Sequence, residues 1–485
     1  MAGKLLGSFP PNDNPGAFGG VWPSMHDMAV PFVKNARNVV FTASGIKKMD
    51  GWVSAFPREG TSAIRGITQI YSNGKNSIFF GTASRLLKYE DDSASATVLN
   101  TGFTGINAET TAQAATHWSM LNFGNWVLAT NGVDAPKVYK TTSFENLIVS
   151  GQFGTAEIFK KSGPYVLAFN LATASGALVD KFAWCHTDDV DQWSANELNA
   201  AGAFYLRDFG GEVIAVSNLG DSLSVYGSDC MFLVNFLGAP YFFGANRALS
   251  GIGAVSKNSV TVVGRRNYGL SRHGFWVTDG TDFSWIDDPA IRNWFLSRVN
   301  WEQKSKINSY HDKNNQQVIW YYPANGSGEP NEGVGYDYAK NVWTIYNQGR
   351  TVSHEASILR YPTSGDSNGY VFYDGIGKNA NGQPLGCFVE SARLSLGPPE
   401  NFKEVLELRT GVHNLTGSFS VAISGYKNLS QTSSYGVGYA LDNSFNKINV
   451  REMGRFISLM YRSTATDSDF IITNVRLHGD IKGTD

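Results

Sequence analysis

The stretch Gly74-Lys75-Asn76-Ser77-Ile78-Phe79-Phe80 carries a phrase that the chain repeats: a turn residue, a polar or small residue, and then a hydrophobic run. Clear repeats begin at Gly124, Gly163, Gly220 and Gly369. Weaker repeats are Asn267-Tyr268-Gly269-Leu270 and Asn315-Gln316-Gln317-Val318-Ile319-Trp320. The spacing is about 49 residues, within the roughly 40–50-residue period that indicates a β-propeller.

Each repeat divides into up to four short strands separated by turns. In the first repeat, strands are predicted at 65–72, 77–83, 85–90 and 95–99. Roughly six such units can be recognised, and a seventh, near 356–374, shows two strands. Two N-terminal segments, 38–42 and 51–56, are predicted to complete it, because a closed ring leaves no exposed sheet edge. Seven blades are predicted, with six as the alternative.

The rhythm changes after residue 385. Alternating strands are predicted around Phe419, Val421 and Ile423, at 456–461, and from Ile471 to Leu477. This pattern indicates a β-sandwich appended to the propeller. The predicted fold is therefore all-β, with three parts: an N-terminal extension at 1–37, a propeller at 38–385 and a C-terminal β-sandwich at 386–485.

One segment departs from the β pattern. Asp287-Asp288-Pro289-Ala290 combines a capping carboxylate with a proline suited to a first helical turn. Ile291, Trp294 and Phe295 follow at helical spacing and predict a short amphipathic helix. Its apolar face is expected to pack on the chain's own core, and the alternative is that these three residues dock a partner.

Composition limits the possible functions. The chain has 40 basic and 42 acidic side chains and a formal charge of −2, with no basic block of the kind that grips phosphates. Tight DNA binding is not expected on this basis, whereas weak, transient passage of DNA is not excluded. The three cysteines form no C-x-x-C pair, so no disulfide framework is expected. No signal peptide and no membrane insertion are predicted, and folding in a reducing cytoplasm is expected.

Catalytic and metal-binding motifs are not found in the sequence. Asp188, Asp189 and Asp191 could supply oxygen ligands to a cation, but the EF-hand order is missing, and a solvated loop is the preferred interpretation. Ser364-Gly365-Asp366-Ser367-Asn368-Gly369 resembles the sialidase turn motif only loosely. The aromatic groups 320–322 and 275–276 are interpreted as core rather than as stacking platforms for sugars or bases. No enzyme activity and no cofactor are predicted.

Two segments resemble a known family, the tail nozzle or tail-hub proteins of short-tailed bacteriophages. Gly45-Ile46-Lys47-Lys48-Met49-Asp50-Gly51-Trp52, within 38–52, resembles the opening of these proteins, although Asp50 stands where they would have proline. Gly454-Arg455-Phe456-Ile457-Ser458-Leu459-Met460-Tyr461-Arg462, with 470–477, is similar to the C-terminal strands of the related head-completion and stabilisation proteins.

The resemblance implies a structural protein of the virion tail, assembled in the host cytoplasm as a ring of six copies below the portal and adaptor. The genome would leave through this ring, and tailspike or fibre proteins would be further partners. It implies no catalytic residues. The alternative hypothesis is a carbohydrate-binding or carbohydrate-cleaving propeller that recognises the host receptor.

Overall fold

A computed structural model describes residues 4–9, 20–21, 32–72, 74–91, 93–105, 117–149, 152–187, 189–195 and 199–484. Five short strands come first: β1 (Lys4–Phe9), β2 (Val33–Arg37), β3 (Val39–Thr42), β4 (Gly45–Lys48) and β5 (Trp52–Ser54). Blade 1 contains β6 (Gly66–Ser72), β7 (Lys75–Gly81), β8 (Arg85–Glu90) and β9 (Thr97–Thr101). Blade 2 contains β10 (Ser119–Phe123), β11 (Trp126–Thr130), β12 (Lys137–Tyr139) and β13 (Phe144–Asn146). Blade 3 contains β14 (Thr155–Ser162), β15 (Tyr165–Thr173), β16 (Gly176–Trp184) and β17 (Gly202–Tyr205).

The remaining elements follow in the same order. Blade 4 contains β18 (Ala215–Leu219), β19 (Ser222–Tyr226), β20 (Cys230–Gly238) and β21 (Phe242–Ser250). Blade 5 contains β22 (Val260–Val263), β23 (Arg266–Ser271), β24 (Gly274–Thr278) and β25 (Phe283–Trp285), and helix α1 (Pro289–Arg298) and a 3₁₀ helix (Trp301–Lys306) come next. Blade 6 contains β26 (Asn308–Asp312), β27 (Gln317–Tyr322), β28 (Glu332–Asp337) and β29 (Val342–Tyr346). Blade 7 begins with β30 (Val352–His354), β31 (Thr363–Gly365) and β32 (Val371–Asp374). The last strands are β33 (Cys387–Ser391), β34 (Lys403–Thr416), β35 (Ser420–Tyr426), β36 (Tyr439–Ala440), β37 (Phe445–Gly454), β38 (Phe456–Ser463) and β39 (Asp469–Ile481).

Seven four-stranded antiparallel sheets are present in the described part of the chain, and in six of them the strands pair in sequence order. The first strands of successive blades contact one another from β6 through β10, β14, β18, β22 and β26 to β30, and β30 contacts β6. These contacts form a closed ring. The all-β fold and the propeller are therefore confirmed, and the blade count is seven rather than six.

The repeated phrase marks the turn between the first and second strands of a blade. Its turn residues have positive φ, the left-handed region that glycine adopts without steric cost. In blades 1 to 4 they are Gly74, Gly124, Gly163 and Gly220, with φ of 78°, 57°, 55° and 61°. In blades 5 and 6 the same turn uses Gly264 and Gln316, with φ of 61° and 54°. The Gly369 repeat is out of phase, since it lies between the second and third strands of blade 7.

Blade 7 is completed by the N-terminal strand β5. Trp52, Val53 and Ser54 pair antiparallel with Asp374, Tyr373 and Phe372 of β32, in the register of a fourth blade strand. The predicted use of 51–56 as a closing strand thus matches the observed pairing. Early and late parts of the chain must therefore meet before the ring can close.

The other N-terminal segment was assigned wrongly. Residues 38–42 do not enter the propeller, because β3 pairs with β4, and β4 pairs with β39 through Ile46 and Ile472. β1 also pairs with β39, and β2 pairs with β33. Val33, Val39 and Ile46 are fully or almost fully buried in the core shared with these C-terminal strands. This burial explains their position, since the apolar area would otherwise face water.

The sandwich is therefore built from strands at both ends of the chain, β1–β4 and β33–β39, and the strands of the propeller, β5–β32, are inserted between them. One sheet has the order β3-β4-β39-β34-β37 with β1 beside β39, and the other has the order β2-β33-β38-β35-β36. The predicted extension at 1–37 is a contributor to this sandwich where it is described. The boundary at residue 38 accordingly moves to the β4–β5 joint.

The sandwich packs on the outer strand of blade 6. Ile345 of β29 belongs to the sandwich core. Asn38, between β2 and β3, donates its backbone N–H to the Ile345 carbonyl at 3.0 Å, and its side-chain oxygen accepts from the Asn347 N–H at 2.9 Å. Arg37 adds an ion pair to Glu332 of β28 at 3.3 Å. Buried apolar and polar contacts thus join the two units.

Helix α1 begins as predicted. Asp288 caps it by accepting hydrogen bonds from the Ala290 and Ile291 N–H groups at 2.7 and 3.0 Å. Ile291 and Phe295 are 0% exposed and lie in the core of blades 5 and 6, whereas Trp294 is partly buried against both that core and the sandwich. Side chains without exposed surface cannot contact a partner, so the docking alternative is set aside for Ile291 and Phe295.

Gly51 lies at the joint between sandwich and propeller and provides a test of it. A Cβ at this position would lie 2.0 Å from the Asn379 carbonyl oxygen. We expect Gly51→Ala to lower the free energy of unfolding by roughly 1–3 kcal/mol, because rigid backbone on both sides must move. Urea unfolding followed by circular dichroism measures this. Gly211→Ala is the control, since its Cβ would meet nothing within 4 Å, and equal losses in both variants would contradict the close approach.

Candidate functional site

The described chain brings a cluster of charged side chains to the propeller axis, on the face where the inner strands begin. Four members stand just before an inner strand: Arg65 before β6, His117 before β10, Lys257 before β22 and Lys306 before β26. The positions are similar in four different blades, each within a few residues of the start of the strand. Side chains at such positions converge, because the inner strands of a propeller surround one axis. We call this set, with Glu157 and Glu329, the axial cluster.

Glu329 binds two of the cations. Its carboxylate accepts from Arg65 through Nη1–Oε2 and Nη2–Oε1 contacts of 2.9 and 2.6 Å, and from Lys306 Nζ at 2.7 Å. Arg65 and Lys306 side chains are both 0% exposed. Arg65 belongs to blade 1 and Glu329 to blade 6, with blade 7 between them. The ion pair therefore spans non-neighbouring blades across the axial region.

Lys257 forms the second set of contacts between non-neighbouring blades. Its Nζ lies 2.7 Å from Oε2 of Glu157 on β14 and donates to the His117 carbonyl at 2.9 Å. Blade 5 is thereby linked to blades 3 and 2. Together the two sets of contacts place protein side chains across the axis at this face, and both carboxylates of the axial cluster are neutralised by cations.

His117 is the uncharged member of the cluster. It is 4% exposed, and neither ring nitrogen has a hydrogen-bond partner in the described structure. Burial lowers the pKa of His117 well below its usual value of 6.5, and the positive charges of Arg65, Lys257 and Lys306 lower it further. The imidazole is therefore neutral at pH 7 and packs as an apolar group beside the ion pairs.

The buried His117 predicts acid sensitivity. Below pH 6.5 the unfolded chain gains a proton on this side chain while the folded chain does not, so stability present above pH 6.5 is lost as pH falls. We expect the free energy of unfolding to drop up to about 2 kcal/mol more between pH 6.5 and 5 in the wild type than in His117→Leu. Urea titrations at both pH values measure the difference. The exposed His273→Leu should keep the wild-type slope, and an unchanged slope in His117→Leu would contradict the assignment.

Of the three predicted cation ligands, Asp188, Asp189 and Asp191, the structure describes the last two. Asp188 lies outside the described residues. Asp189 accepts from the Asp191 N–H at 3.0 Å and from Gln192 Nε2 at 2.7 Å, and Asp191 forms an ion pair with Lys140 at 2.5 Å. Asp189 thus organises its own loop, and Asp191 ties that loop to Lys140 and to the Ile148 N–H group, next to blade 2. Across the described ranges, no group of three or more His, Cys, Asp or Glu could hold a metal ion.

The other residues considered as functional candidates from the sequence lie in the core or in turns. The aromatic residues at 320–322 and 275–276 are at most 1% exposed and cannot stack on a sugar or base. Asp366, in the sialidase-like stretch, accepts from the Asn368 and Tyr370 N–H groups and shapes the β31–β32 turn. The three cysteines are buried, and no disulfide joins any of them in the described part of the chain. No helix in the described ranges is both long and apolar enough to cross a membrane.

An exposed apolar tip on blade 4 was not predicted. The hairpin β20–β21 ends in Phe236, Leu237 and Tyr241, which are 52%, 61% and 75% exposed. We call these three residues the blade-4 tip. The sequence signal was a run without charge from Met231 to Asn246. Contiguous exposed apolar side chains are characteristic of contact surfaces, so the tip is the main candidate for one here.

Comparisons with known proteins return fold likeness alone. No family model matches the chain, and no curated protein matches it. Among solved structures, "YCF48 bound to D1 peptide" is 10% identical with a TM-score of 0.42, covering 68% of this chain and 97% of that one. "Crystal Structure of Mitotic Checkpoint Complex" is 12% identical with a TM-score of 0.39, covering 67% and 93%. These values carry no functional argument.

Proposed function

We propose that the chain is a structural protein of a short-tailed bacteriophage tail, in which several copies form a ring-shaped nozzle for genome exit. Six copies are expected from the family resemblance. The nozzle would attach below the portal and adaptor and bear tailspike or fibre proteins. The observation that carries the assembly part of this proposal is the blade-4 tip, a cluster of apolar side chains that a lone copy exposes to water.

The position of the resembling segments supports the proposal. The N-terminal one, 45–52, forms β4 and the joint to β5. The C-terminal ones form β38 and most of β39. β4 and β39 pair through Lys47–Ile471 and Ile46–Ile472, so segments more than 400 residues apart occupy one sheet. Because both segments contribute strands to the same sandwich, one structural requirement accounts for a family resemblance at both ends of the chain.

The axial cluster supports a wall rather than a pore within one copy. Ion pairs link non-neighbouring blades near the axis at one face, which favours a channel for DNA that runs between copies rather than through one copy. The near-neutral charge of −2 fits a surface along which DNA slides without being held. Both carboxylates of the cluster are paired with cations, so neither Glu157 nor Glu329 stands as an unpaired acid or base of the kind that glycoside cleavage uses.

A tip variant tests the assembly. Leu237→Asp places a charge in the blade-4 tip, and we expect it to abolish or strongly weaken self-association, because a buried unpaired carboxylate is costly at an interface. Sedimentation velocity of wild type and variant, each alone and with the tail adaptor, gives the readout. Val437→Asp is the matched control, since Val437 is 92% exposed and outside the tip.

Two outcomes count against the proposal. One is a wild-type chain that stays monomeric at every concentration and also fails to bind the adaptor. The other is specific binding or cleavage of surface polysaccharide in a glycan array and a hydrolysis screen, which would favour the carbohydrate hypothesis. A structural nozzle should give no signal in either carbohydrate assay.

A further inference from the structure

A small cavity lies at the seam where the ring closes. Its volume is about 40 Å³, enough for one ion or water. Blade 6, the end of β32, the closing strand β5 and strand β3 of the sandwich all contribute to its wall. Its polar lining includes Asp312, Asp374, Gln348, Tyr310 and Tyr321. We call it the seam cavity.

Asp312 is a buried carboxylate without a cation. It is 8% exposed, and its oxygens accept from the Asn314 and Asn315 N–H groups at 3.1 and 3.3 Å and from Asn315 Nδ2 at 2.7 Å. Within the described residues no Lys, Arg or His forms an ion pair with it. Burial raises the pKa of Asp312, and the nearby Asp374 charge raises it further. No cation of the described residues therefore pairs directly with this carboxylate.

Asp374 has one cationic partner. Its Oδ1 accepts from Arg350 Nη2 at 2.8 Å, and Arg350 stacks over Trp52 at 4.5 Å and Phe372 at 4.8 Å. The two carboxylates and this guanidinium carry a net charge of about −1, with every group ionised as in water. Asp50 also lines the cavity, and Lys378 and Lys47 contact its carboxylate at 2.6 and 3.5 Å.

One further oxygen at the cavity has no partner in the described chain. Gln348 Oε1 is buried and makes no hydrogen bond, while the Nε2 of the same side chain donates to the Tyr321 hydroxyl at 3.3 Å. The neighbouring Tyr310, which is 7% exposed, adds a hydroxyl group to the lining. Buried polar atoms are rarely left without a partner, because each costs about 1–3 kcal/mol. A cation or a hydrogen-bond donor that can bind the Gln348 oxygen is therefore expected in the cavity.

We propose that the seam cavity binds one hard divalent cation of the Ca²⁺ type. Asp312 and Asp374 supply carboxylate oxygens, Gln348 an amide oxygen and Tyr310 a neutral oxygen, and water completes the shell. Ca²⁺ favours such mixed oxygen ligands at flexible geometry. The described residues contain no group of three or more His, Cys, Asp or Glu that could hold a metal ion. The seam cavity is a different kind of site, because it combines two carboxylates with neutral oxygens.

The position gives such an ion a structural role. Asp312 belongs to blade 6, Asp374 ends β32 of blade 7, and Trp52 of the closing strand pairs directly with Asp374. A cation between the carboxylates would tie blade 6 to the closing strand. Binding to the folded chain alone would then stabilise the seam by mass action.

Terbium luminescence on the full chain tests the proposal. Tb³⁺ substitutes for Ca²⁺, and Tyr310 in the cavity wall should sensitise its emission. We expect saturable emission that Ca²⁺ displaces, and a melting temperature that rises at least about 2 °C from excess chelator to saturating Ca²⁺. Asp312→Asn should weaken Tb³⁺ binding at least about tenfold, and Asp221→Asn, an exposed carboxylate on the β18–β19 turn, should not.

Tyr310→Phe keeps the test decisive if Asp312→Asn does not fold, because it removes one hydroxyl and leaves the ring in place. It should weaken Tb³⁺ binding several-fold. The proposal is overturned if Ca²⁺ leaves the melting temperature unchanged, since the cavity then holds water alone. It is also overturned if the folded cavity variants bind Tb³⁺ as tightly as Asp221→Asn does.

Discussion

Replacing Trp52 with alanine is expected to lower the free energy of unfolding by about 3–5 kcal/mol, the usual cost of emptying a large aromatic site. Trp52 is 9% exposed, its ring lies 6.4 Å from that of Phe372, and Arg350 stacks over it at 4.5 Å. The substitution therefore removes packing at the strand that closes the ring and leaves Arg350 without its aromatic cover.

Urea unfolding followed by circular dichroism measures the effect of Trp52→Ala. Trp285→Ala is the matched control, because Trp285 is 38% exposed on the outer strand of blade 5. We expect a loss there below about 1 kcal/mol, as for surface positions in general. A Trp52→Ala loss no larger than that of Trp285→Ala would contradict the closing role of β5.

Replacing Glu329 with glutamine is expected to cost a similar amount, about 3–5 kcal/mol. The change is nearly isosteric, but it removes the negative charge that both Arg65 and Lys306 contact. Each of these cations is fully buried, and removing the anion from a buried ion pair leaves charge that water cannot reach. The variant protein should therefore unfold at a lower urea concentration than the wild type.

The same unfolding assay applies to Glu329→Gln. Glu355→Gln is its control, because Glu355 is 40% exposed and pairs with Lys313, which is 52% exposed. Exposed ion pairs contribute about 0–1 kcal/mol. If both substitutions gave losses in this small range, the axial contacts would not hold the blades together.

The propeller could be predicted because its turns repeat. Positive φ at Gly74 and its equivalents favours glycine, and this preference leaves a visible period. Blade 5 was located less well, since its turn is Gly264 and the repeat was read at Asn267 instead. The out-of-phase Gly369 shows that the same residue pattern can serve a different turn of the blade.

The division into domains could not be predicted correctly from order along the chain. Short apolar strands such as β3 and β5 are alike locally, and partners hundreds of residues away decide that one enters the sandwich and the other the propeller. The register of strand pairing within the sandwich could not be predicted from the alternation of residues either. β39 buries Ile472 and then Val475, because the pairing with β34 shifts between Gly411 and Val412.

The axial cluster and the seam cavity had no sequence signature. Arg65 and Glu329 are 264 positions apart, and Trp52 and Asp374 come from opposite ends of the propeller. No local spacing can indicate such pairs. Helix α1 shows the contrast, because its cap at Asp288 is encoded within four residues and was predicted correctly.

Ring formation is the central claim, and negative-stain imaging of the purified chain, alone and mixed with the tail adaptor, tests it most directly. The proposed nozzle predicts discrete rings of six copies with an open centre between copies. Single particles of one chain under both conditions would contradict it.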